Sequence, residues 1–171
     1  MTAGLSDIKL LLLDVDGVLT DGGISYTDSG EQVKTFHSSD GLGLRLLMDA
    51  GIEVGIITGR RSDALKHRCD NLGIRILHQG VRDKPAALAS ITTETGISTQ
   101  QMAYAGDDLI DLPVMRRVGT AIAVANACEE VKTHAAWVTR ASGGNGAVRE
   151  ICEAILKAKA LWQDILDRYL S

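Results

Sequence analysis

The chain has 171 residues, of which 45% are hydrophobic and 23% are charged. This composition is typical of a globular domain and excludes long disordered tracts. A net charge of −4 and an aromatic content of 4% argue against a surface that binds nucleic acid. No apolar run approaches the roughly 20 residues of a membrane-spanning helix. We therefore expect neither nucleic acid nor a membrane as a partner.

The cysteines and the start of the chain predict a cytoplasmic protein. Met1–Asp7 has neither the basic nor the apolar region of a secretion signal. The three cysteines, Cys69, Cys128 and Cys152, are widely separated and match neither a disulfide framework nor the spacing of zinc ligands. We expect them to be reduced thiols, packed as small hydrophobic residues.

Short apolar runs alternate with helical patterns along most of the chain. The predicted strands are Lys9–Leu13, Val54–Ile57, Ile74–Leu77, Ala103–Ala105, Ala121–Val124 and Ala136–Thr139. The predicted helices are Leu42–Ala50, Ser62–Leu72, Lys84–Thr95 and Leu109–Val118, each followed by a glycine near its end. Strands that alternate with helices indicate an α/β fold, a doubly wound parallel sheet covered by helices on both faces.

Two segments depart from this alternation. The stretch from Gly23 to Phe36 contains two β-prone pieces around a turn signal, Thr27–Gly30, and predicts a hairpin inserted into the α/β core. Apolar residues from Ala147 to Ser171 recur at helical spacing, which predicts one long or broken terminal helix. Because no repeat or linker is visible, we expect residues 1–171 to form one domain.

Polar residues follow three of the predicted strands, at the point where each strand ends. They are Asp14 and Asp16, then Thr58 and Arg60, then Asp107, Asp108 and Asp111, and Lys84 opens a helix nearby. The carboxyl ends of parallel strands meet at one edge of a sheet, which is where such folds bind ligands. Clustered carboxylates repel one another without a cation, and oxygen ligands of this kind suit Mg²⁺. Acids after strands can also be ordinary helix N-caps, but that explanation does not account for all three sites together with a Thr and a Lys.

The motifs DVDGVLTDG from Asp14, ITGR from Ile57, Lys84 and GDDLID from Gly106 occur in the order typical of the haloacid dehalogenase superfamily, which the chain resembles. The resemblance implies a phosphatase in which Asp14 is the nucleophile and Asp16 is the general acid and base. It also implies that Thr58 and Lys84 hold the phosphoryl group. Asp14, Asp16 (through its carbonyl) and Asp107 would bind Mg²⁺.

Members of that superfamily often carry a cap domain, but the stretches between these motifs are too short for one. Longer matches, including FHSSDGLGLRLL from Phe36 and GGNGAVREIC from Gly143, resemble the capless 3-deoxy-D-manno-octulosonate 8-phosphate phosphatase family. That family implies a sugar acid phosphate as substrate and a homotetramer in which hairpins associate. The substrate contacts carried over are Asp16, His37, Ser38, Ser39, Asp40, Gly41, Arg45, Arg60, Arg68 and Lys84.

Three alternatives stay open at this point. Ser39 stands where the family commonly has arginine, and a sister branch acting on nine-carbon sialic-type sugar acid 9-phosphates carries small polar residues there. A receiver-type signalling domain also combines acids, Thr and Lys, but in a different order along the chain. A regulatory subunit without turnover would not need intact Asp14, Asp16, Lys84 and Asp107.

Overall fold

A six-stranded sheet forms the centre of the computed structural model, which describes residues 4–171. Its strands are β1 (Leu10–Leu13), β4 (Glu53–Ile57), β5 (Ile76–His78), β6 (Met102–Gly106), β7 (Thr120–Ala123) and β8 (Trp137–Val138). The hairpin between β1 and β4 contains β2 (Ser25–Tyr26) and β3 (Gln32–Val33). Their order is β5-β4-β1-β6-β7-β8, and every neighbouring pair is parallel. The chain thus builds the sheet outward in both directions from β1, which confirms the doubly wound α/β prediction.

Seven α-helices accompany the sheet within the described residues. They are α1 (Ser38–Asp49), α2 (Asp63–Leu72), α3 (Lys84–Thr95), α4 (Leu112–Met115), α5 (Glu129–His134), α6 (Ala147–Ala158) and α7 (Trp162–Leu170). Helices α1, α2, α6 and α7 pack with one another, while α3, α4 and α5 form a second group. None of them is long and apolar enough to cross a membrane.

The core is organised around β1. Successive side chains of a strand point to opposite faces of the sheet, and all four leucines of Leu10–Leu13 are fully buried. Helices must therefore cover both faces at this strand. Helix α6 contributes to the same hydrophobic core, since its apolar residues Val148, Ile151 and Ile155 are also fully buried.

Several predicted boundaries were displaced by local hydrogen bonding. Ile74 was predicted to start a strand, but its N–H donates to Cys69 O and closes the end of α2. The helix predicted over Leu109–Val118 is instead a 3₁₀ turn, Leu109–Asp111, followed by the short α4. Pro113 lacks the N–H that a continuous α-helix would need there.

Near the C-terminus, the predicted terminal helix is broken. Ala160 adopts a left-handed conformation with a φ of 59°, which ends the helical run between α6 and α7. The helix α5 was not predicted because it has only six residues and Cys128, before it, provides no side-chain cap. Residues 1–3 lie outside the described part of the chain. The expectation for Met1–Asp7 therefore stays a prediction where it concerns them.

The predicted hairpin is confirmed as two short antiparallel strands, β2 (Ser25–Tyr26) and β3 (Gln32–Val33). The N–H of Gly30 donates to Thr27 O across the turn. Between β1 and β4, the described chain contains only this hairpin and α1. The residues from Asp21 to Glu31 are all exposed, so the hairpin projects from the core.

A buried glycine sets the distance between α1 and α6. A Cβ at Gly43 would lie 3.0 Å from Arg149 Cδ and 3.3 Å from Arg149 Cα. We expect Gly43→Val to lower the free energy of unfolding by about 1–3 kcal/mol, because the added branch forces the two helices apart. Leu42→Val, on an exposed position of the same helix, should change it by less than about 0.5 kcal/mol. Chemical denaturation measures both, and equal losses would contradict this interpretation.

Candidate active site

The predicted catalytic residues lie together at the carboxyl edge of the sheet. Leu13 pairs with Ile56 of β4 and with Ala105 of β6, so the residues that follow these three strands are neighbours. They enclose a cavity of about 280 Å³. Its lining consists of Asp14, Asp16, Gly22, Ile24, Thr58, Gly59, Arg60, Asp107, Asp108 and Ile110.

Asp14 and Lys84 form a buried ion pair at the base of this site. Lys84 Nζ lies 3.0 Å from Asp14 Oδ1 and 2.7 Å from Asp111 Oδ1, and all three side chains are almost fully buried. Burial lowers the pKa of Lys84, but the two carboxylates outweigh it and the pKa is raised. The two carboxylates thus favour the charged form of Lys84, which lies between them.

Asp111 holds the surrounding groups in place. Its Oδ1 accepts hydrogen bonds from Lys84 and, at 2.6 Å, from the hydroxyl of Tyr104. Its Oδ2 accepts from the N–H groups of Asp107 and Asp108, at 2.9 and 3.2 Å. Both oxygens are therefore committed to protein donors, and Asp111 orients the site from behind.

The carboxylate of Asp107, unlike that of Asp111, does not have hydrogen-bond donors on both oxygens among the described residues. Its Oδ1 is buried and accepts no hydrogen bond from any described residue. A Cβ at Gly17 would lie 2.0 Å from Asp107 Oδ2, and Gly17 has a φ of +94°, so only glycine fits there. Burial raises the pKa of Asp107 to about 7, and the nearby Asp111 and Asp14 contribute to the shift.

These acids meet the requirements of a cation site. Asp14, Asp107 and Asp111 each offer an oxygen, and the three oxygens lie within 4.8 Å of one another. Burial and the charge of Asp111 raise the pKa of Asp14 to about 6, although Lys84 opposes the shift. Since Asp111 is already saturated, the orphaned oxygen of Asp107 and the carboxylate of Asp14 are the groups that fit a divalent ion.

Asp16 faces the mouth of the cavity and is bound by two cations. Its Oδ1 accepts a hydrogen bond from Lys34 Nζ, and the Lys34 side chain is only 4% exposed. Arg60 Nε lies 3.7 Å from Oδ2 and its side chain is half exposed. Thr58, which is buried, accepts the N–H of Arg60 on its hydroxyl at 3.4 Å.

The remaining predicted substrate contacts surround the start of α1, outside the lining of this cavity. His37 Nδ1 lies 2.7 Å from the hydroxyl of Ser39, and Arg68 donates to the carbonyl of His37 at 3.4 Å. A Cβ at Gly41 would lie 2.2 Å from Arg68 Nη2, so the guanidinium rests against that glycine. Ser38, the first residue of the helix, is exposed.

Two of the predicted contacts have other partners within the described chain. Asp40 is buried, and its Oδ1 accepts the N–H of Arg149 at 2.8 Å, in the first turn of α6. Burial raises the pKa of Asp40. Arg45 donates to the carbonyl of Asn71 at the far end of α2. The structure does not bring these two side chains to the cavity.

The loop Gly143–Gly146 buttresses the segment that follows Asp14. A Cβ at Gly143 would lie 1.7 Å from Gly17 O, and the N–H of Gly144 donates to Val18 O. Asn126 bridges the two segments, since its amide donates to Gly17 O and accepts the N–H of Gly143. This close packing fixes the loop against the segment that follows Asp14.

Lys34, Tyr104 and Asn126 were not predicted as site residues. A tyrosine in a fully buried strand requires a partner for its hydroxyl, which could have indicated Tyr104. Asn126 follows β7 and so lies at the same edge as the other polar residues. Nothing in the sequence indicated that Lys34 belongs to the site, because a lysine in a hairpin is normally exposed to solvent.

The acid cluster predicts a pH-dependent stability in the presence of a chelator. The pKa values of Asp14 and Asp107 in the folded protein lie above the usual 3.8, so the folded state binds these protons more tightly than the unfolded state. We expect the free energy of unfolding to fall as pH rises from about 4 to about 7. Asp107→Asn should reduce this fall by an amount on the order of 2 kcal/mol. This is less than the free energy that the whole pKa shift would contribute, because solvent partly screens the group.

Denaturant titrations of both proteins at several pH values in chelator test this expectation. Added Mg²⁺ should restore the stability of the wild type more strongly at pH 7 than at pH 5. Identical pH profiles for the wild type and Asp107→Asn would contradict it.

Comparison with known proteins places this chain among phosphatases. A family model described as haloacid dehalogenase-like hydrolase matches residues 73–151. The chain is similar to the 3-deoxy-D-manno-octulosonate 8-phosphate phosphatase of Escherichia coli K12, with 46% identity over 92% of this chain and 84% of the relative. The corresponding protein of Yersinia pestis is 47% identical over 90% of this chain and 82% of the relative.

Solved structures show the same similarity. The phosphatase of this name from Moraxella catarrhalis, in complex with magnesium, phosphate and the sugar acid KDO, superposes with a TM-score of 0.95 and 43% identity. That match covers 97% of this chain and 95% of the other. The Yersinia pestis structure gives a TM-score of 0.92 and 45% identity, covering 94% of this chain and 86% of the other.

Proposed function

Since this chain belongs to the 3-deoxy-D-manno-octulosonate 8-phosphate phosphatase family of haloacid dehalogenase-like hydrolases, we propose that it hydrolyses that sugar acid phosphate to the free acid and phosphate. The observation that carries the proposal is the buried Asp14, held 3.0 Å from Lys84 and opening onto the same cavity as Asp16 and Asp107. The family identity supports this eight-carbon substrate over the nine-carbon alternative and a hydrolase over a receiver domain.

The reaction proceeds in two displacements at phosphorus. In the first, a carboxylate oxygen of Asp14 attacks phosphorus, the bond to the sugar oxygen breaks, and Asp16 protonates that oxygen as it leaves. In the second, Asp16 takes a proton from water, and the water oxygen attacks the phosphorus of the aspartyl-phosphate. Asp14 is released as a carboxylate, and phosphate departs.

The other residues bind the phosphoryl group. Lys84 and Thr58 donate hydrogen bonds to its oxygens, and Lys84 also offsets the negative charge gathered beside Asp14. Asp14, Asp107 and the carbonyl of Asp16 are the groups we propose for Mg²⁺, and the unpartnered oxygen of Asp107 supports this assignment. The ion would neutralise the carboxylates and the phosphate oxygens when bound.

The sugar acid itself requires further contacts. Arg60 lines the cavity and is half exposed, so its guanidinium can turn to an anionic group of the substrate. We propose the remaining contacts on the family resemblance: His37, Ser38, Ser39, Gly41 and Arg68. Asp40 and Arg45, which the resemblance also implies, have other partners in the structure. The packing of Asp40 against α6 supports a role in holding the loop rather than in touching the substrate.

Assembly and location complete the proposal. Ile24, Tyr26 and Val33 expose apolar side chains on the hairpin, and an isolated hairpin of this size is only marginally stable. We propose that hairpins from four chains associate and close a site that has no cap. Free cysteines at positions 69, 128 and 152 support a reducing, cytoplasmic location.

Asp14→Asn should abolish turnover of 3-deoxy-D-manno-octulosonate 8-phosphate, because the amide is not a nucleophile for phosphorus. Phosphate release with Mg²⁺ present measures the loss, and the circular dichroism spectrum should stay unchanged. Excess chelator should also stop the wild-type reaction. Full activity in the variant, or in chelator, would contradict the mechanism.

Asp16→Ala should lower kcat for the same substrate by about 10²–10⁴-fold, since it removes the proton donor for a poor leaving group. Steady-state phosphate release measures kcat and KM. A loss below tenfold would assign the acid–base role to another group.

The double variant Tyr26→Ser, Val33→Ser should shift the protein from tetramers toward monomers, because it removes the apolar surface of the hairpin. Light scattering at defined concentrations measures the mass. Leu42→Ser changes an exposed leucine on α1 and serves as the control, with no shift expected. A fully active wild-type monomer would refute the proposed assembly.

A further inference from the structure

The hairpin contributes one buried charge to the site. Lys34 follows β3 and its side chain is 4% exposed, whereas the side chains of Lys66 and Lys157 are 62% and 53% exposed. Its ammonium contacts Asp16 Oδ1. A lysine placed only for solubility would extend into water, so this burial needs a physical explanation.

Burial of an ammonium group is costly unless a carboxylate compensates for the lost hydration. Lys34 meets this condition only through Asp16, its one ion-pair partner among the described residues. The same arrangement occurs at the base of the cavity, where Lys84, also 4% exposed, contacts Asp14. Each of the two carboxylates that carry the proposed chemistry is therefore bound by one buried lysine.

The two cations at Asp16 differ in how firmly they hold it. Lys34 is buried and within hydrogen-bond contact of Oδ1. Arg60 is half exposed, and 3.7 Å from Nε to Oδ2 is too long for a hydrogen bond. Lys34 is thus the fixed contact, and Oδ2 is the oxygen free to exchange a proton with the substrate or with water.

We propose that Lys34 is a positioning residue for Asp16. It anchors Oδ1 through a hydrogen bond and so keeps Oδ2 directed at the leaving oxygen. This inference rests on the proposed function, because it assigns Asp16 the acid–base role. The hairpin then has a second role besides the proposed association of chains, because it orients the acid–base group of its own chain.

The test compares two leaving groups in Lys34→Met, Lys34→Arg and the control Lys66→Met. The sugar acid phosphate needs a proton donor, whereas 4-nitrophenyl phosphate releases a stable anion without one. Lys34→Met should lower kcat for the sugar acid phosphate by about 10–100-fold with KM changed less than about threefold. Single-turnover release of 4-nitrophenolate should change by less than about threefold.

Rescue and coupling complete the design. Lys34→Arg retains a cationic donor and should recover kcat to within about fivefold of the wild type. Adding Lys34→Met to Asp16→Asn should cause less than about a twofold further loss, because the lysine acts through that carboxylate. Lys66→Met should behave as the wild type with both substrates.

Other outcomes would overturn the inference. A tenfold rise in KM with kcat unchanged would make Lys34 a substrate-binding group, and equal losses on both substrates would make it a structural one. If the wild type hydrolyses another alkyl phosphate but not the sugar acid phosphate, the proposed substrate is wrong. The effect of Lys34→Met on that alkyl phosphate, compared with its effect on 4-nitrophenyl phosphate, then decides the role of Lys34. A wild type inactive on every phosphate ester would refute both proposals.

Discussion

The structure depends on a concentration of negative charge at one edge of a parallel sheet. Asp14, Asp107 and Asp111 bring oxygens within 4.8 Å of one another, and Lys84 is the buried cation between two of them. Such a cluster is unfavourable in a low-dielectric interior, which is why the pKa values of Asp14 and Asp107 are raised. The same excess of negative charge favours the binding of a divalent ion and, through that ion, of a phosphate.

The scaffold keeps these charges from relaxing apart. The fully buried leucines of β1 fix the strand that carries Asp14, and the four hydrogen bonds of Asp111 fix the loop that carries Asp107. Behind them, Gly143 packs directly on the carbonyl of Gly17, where any side chain would collide. The rigidity of the site therefore comes from the buried strand, from the hydrogen bonds of Asp111 and from the close contact between two loops that are distant in sequence.

The hairpin lies between this scaffold and the surface at which we propose that other chains associate. Its outer surface is apolar and exposed, at Tyr26 and Val33, while Lys34 at its base extends inward to Asp16. A segment outside the α/β core can thus serve both proposed tasks, association with other chains and orientation of the acid–base carboxylate. A separate cap domain would perform similar tasks with many more residues.

The alternation of apolar runs and helical patterns by itself determined the fold class, because strands buried on both faces require continuous apolar stretches. Order and spacing likewise placed Asp14, Thr58, Lys84 and Asp107 at one edge, since parallel strands end on the same side. Sequence could not locate residues whose role depends on contacts across the fold. Ile74 closes a helix instead of starting a strand, because the carbonyl of Cys69 lies within reach of its N–H.

Only the tertiary structure decided which acids are free and which are committed. The family resemblance assigned Asp107, and not Asp111, to Mg²⁺, but residue type and spacing gave no physical reason for the difference. In the fold, Asp111 accepts four hydrogen bonds, while one oxygen of Asp107 accepts none from the described residues. Asp40 and Lys34 show the same limit, the first turned toward α6 and the second toward Asp16. Residue type and spacing determine which chemistry a chain can perform, but the partner of each charge depends on distances between segments far apart in sequence, and only packing sets those distances.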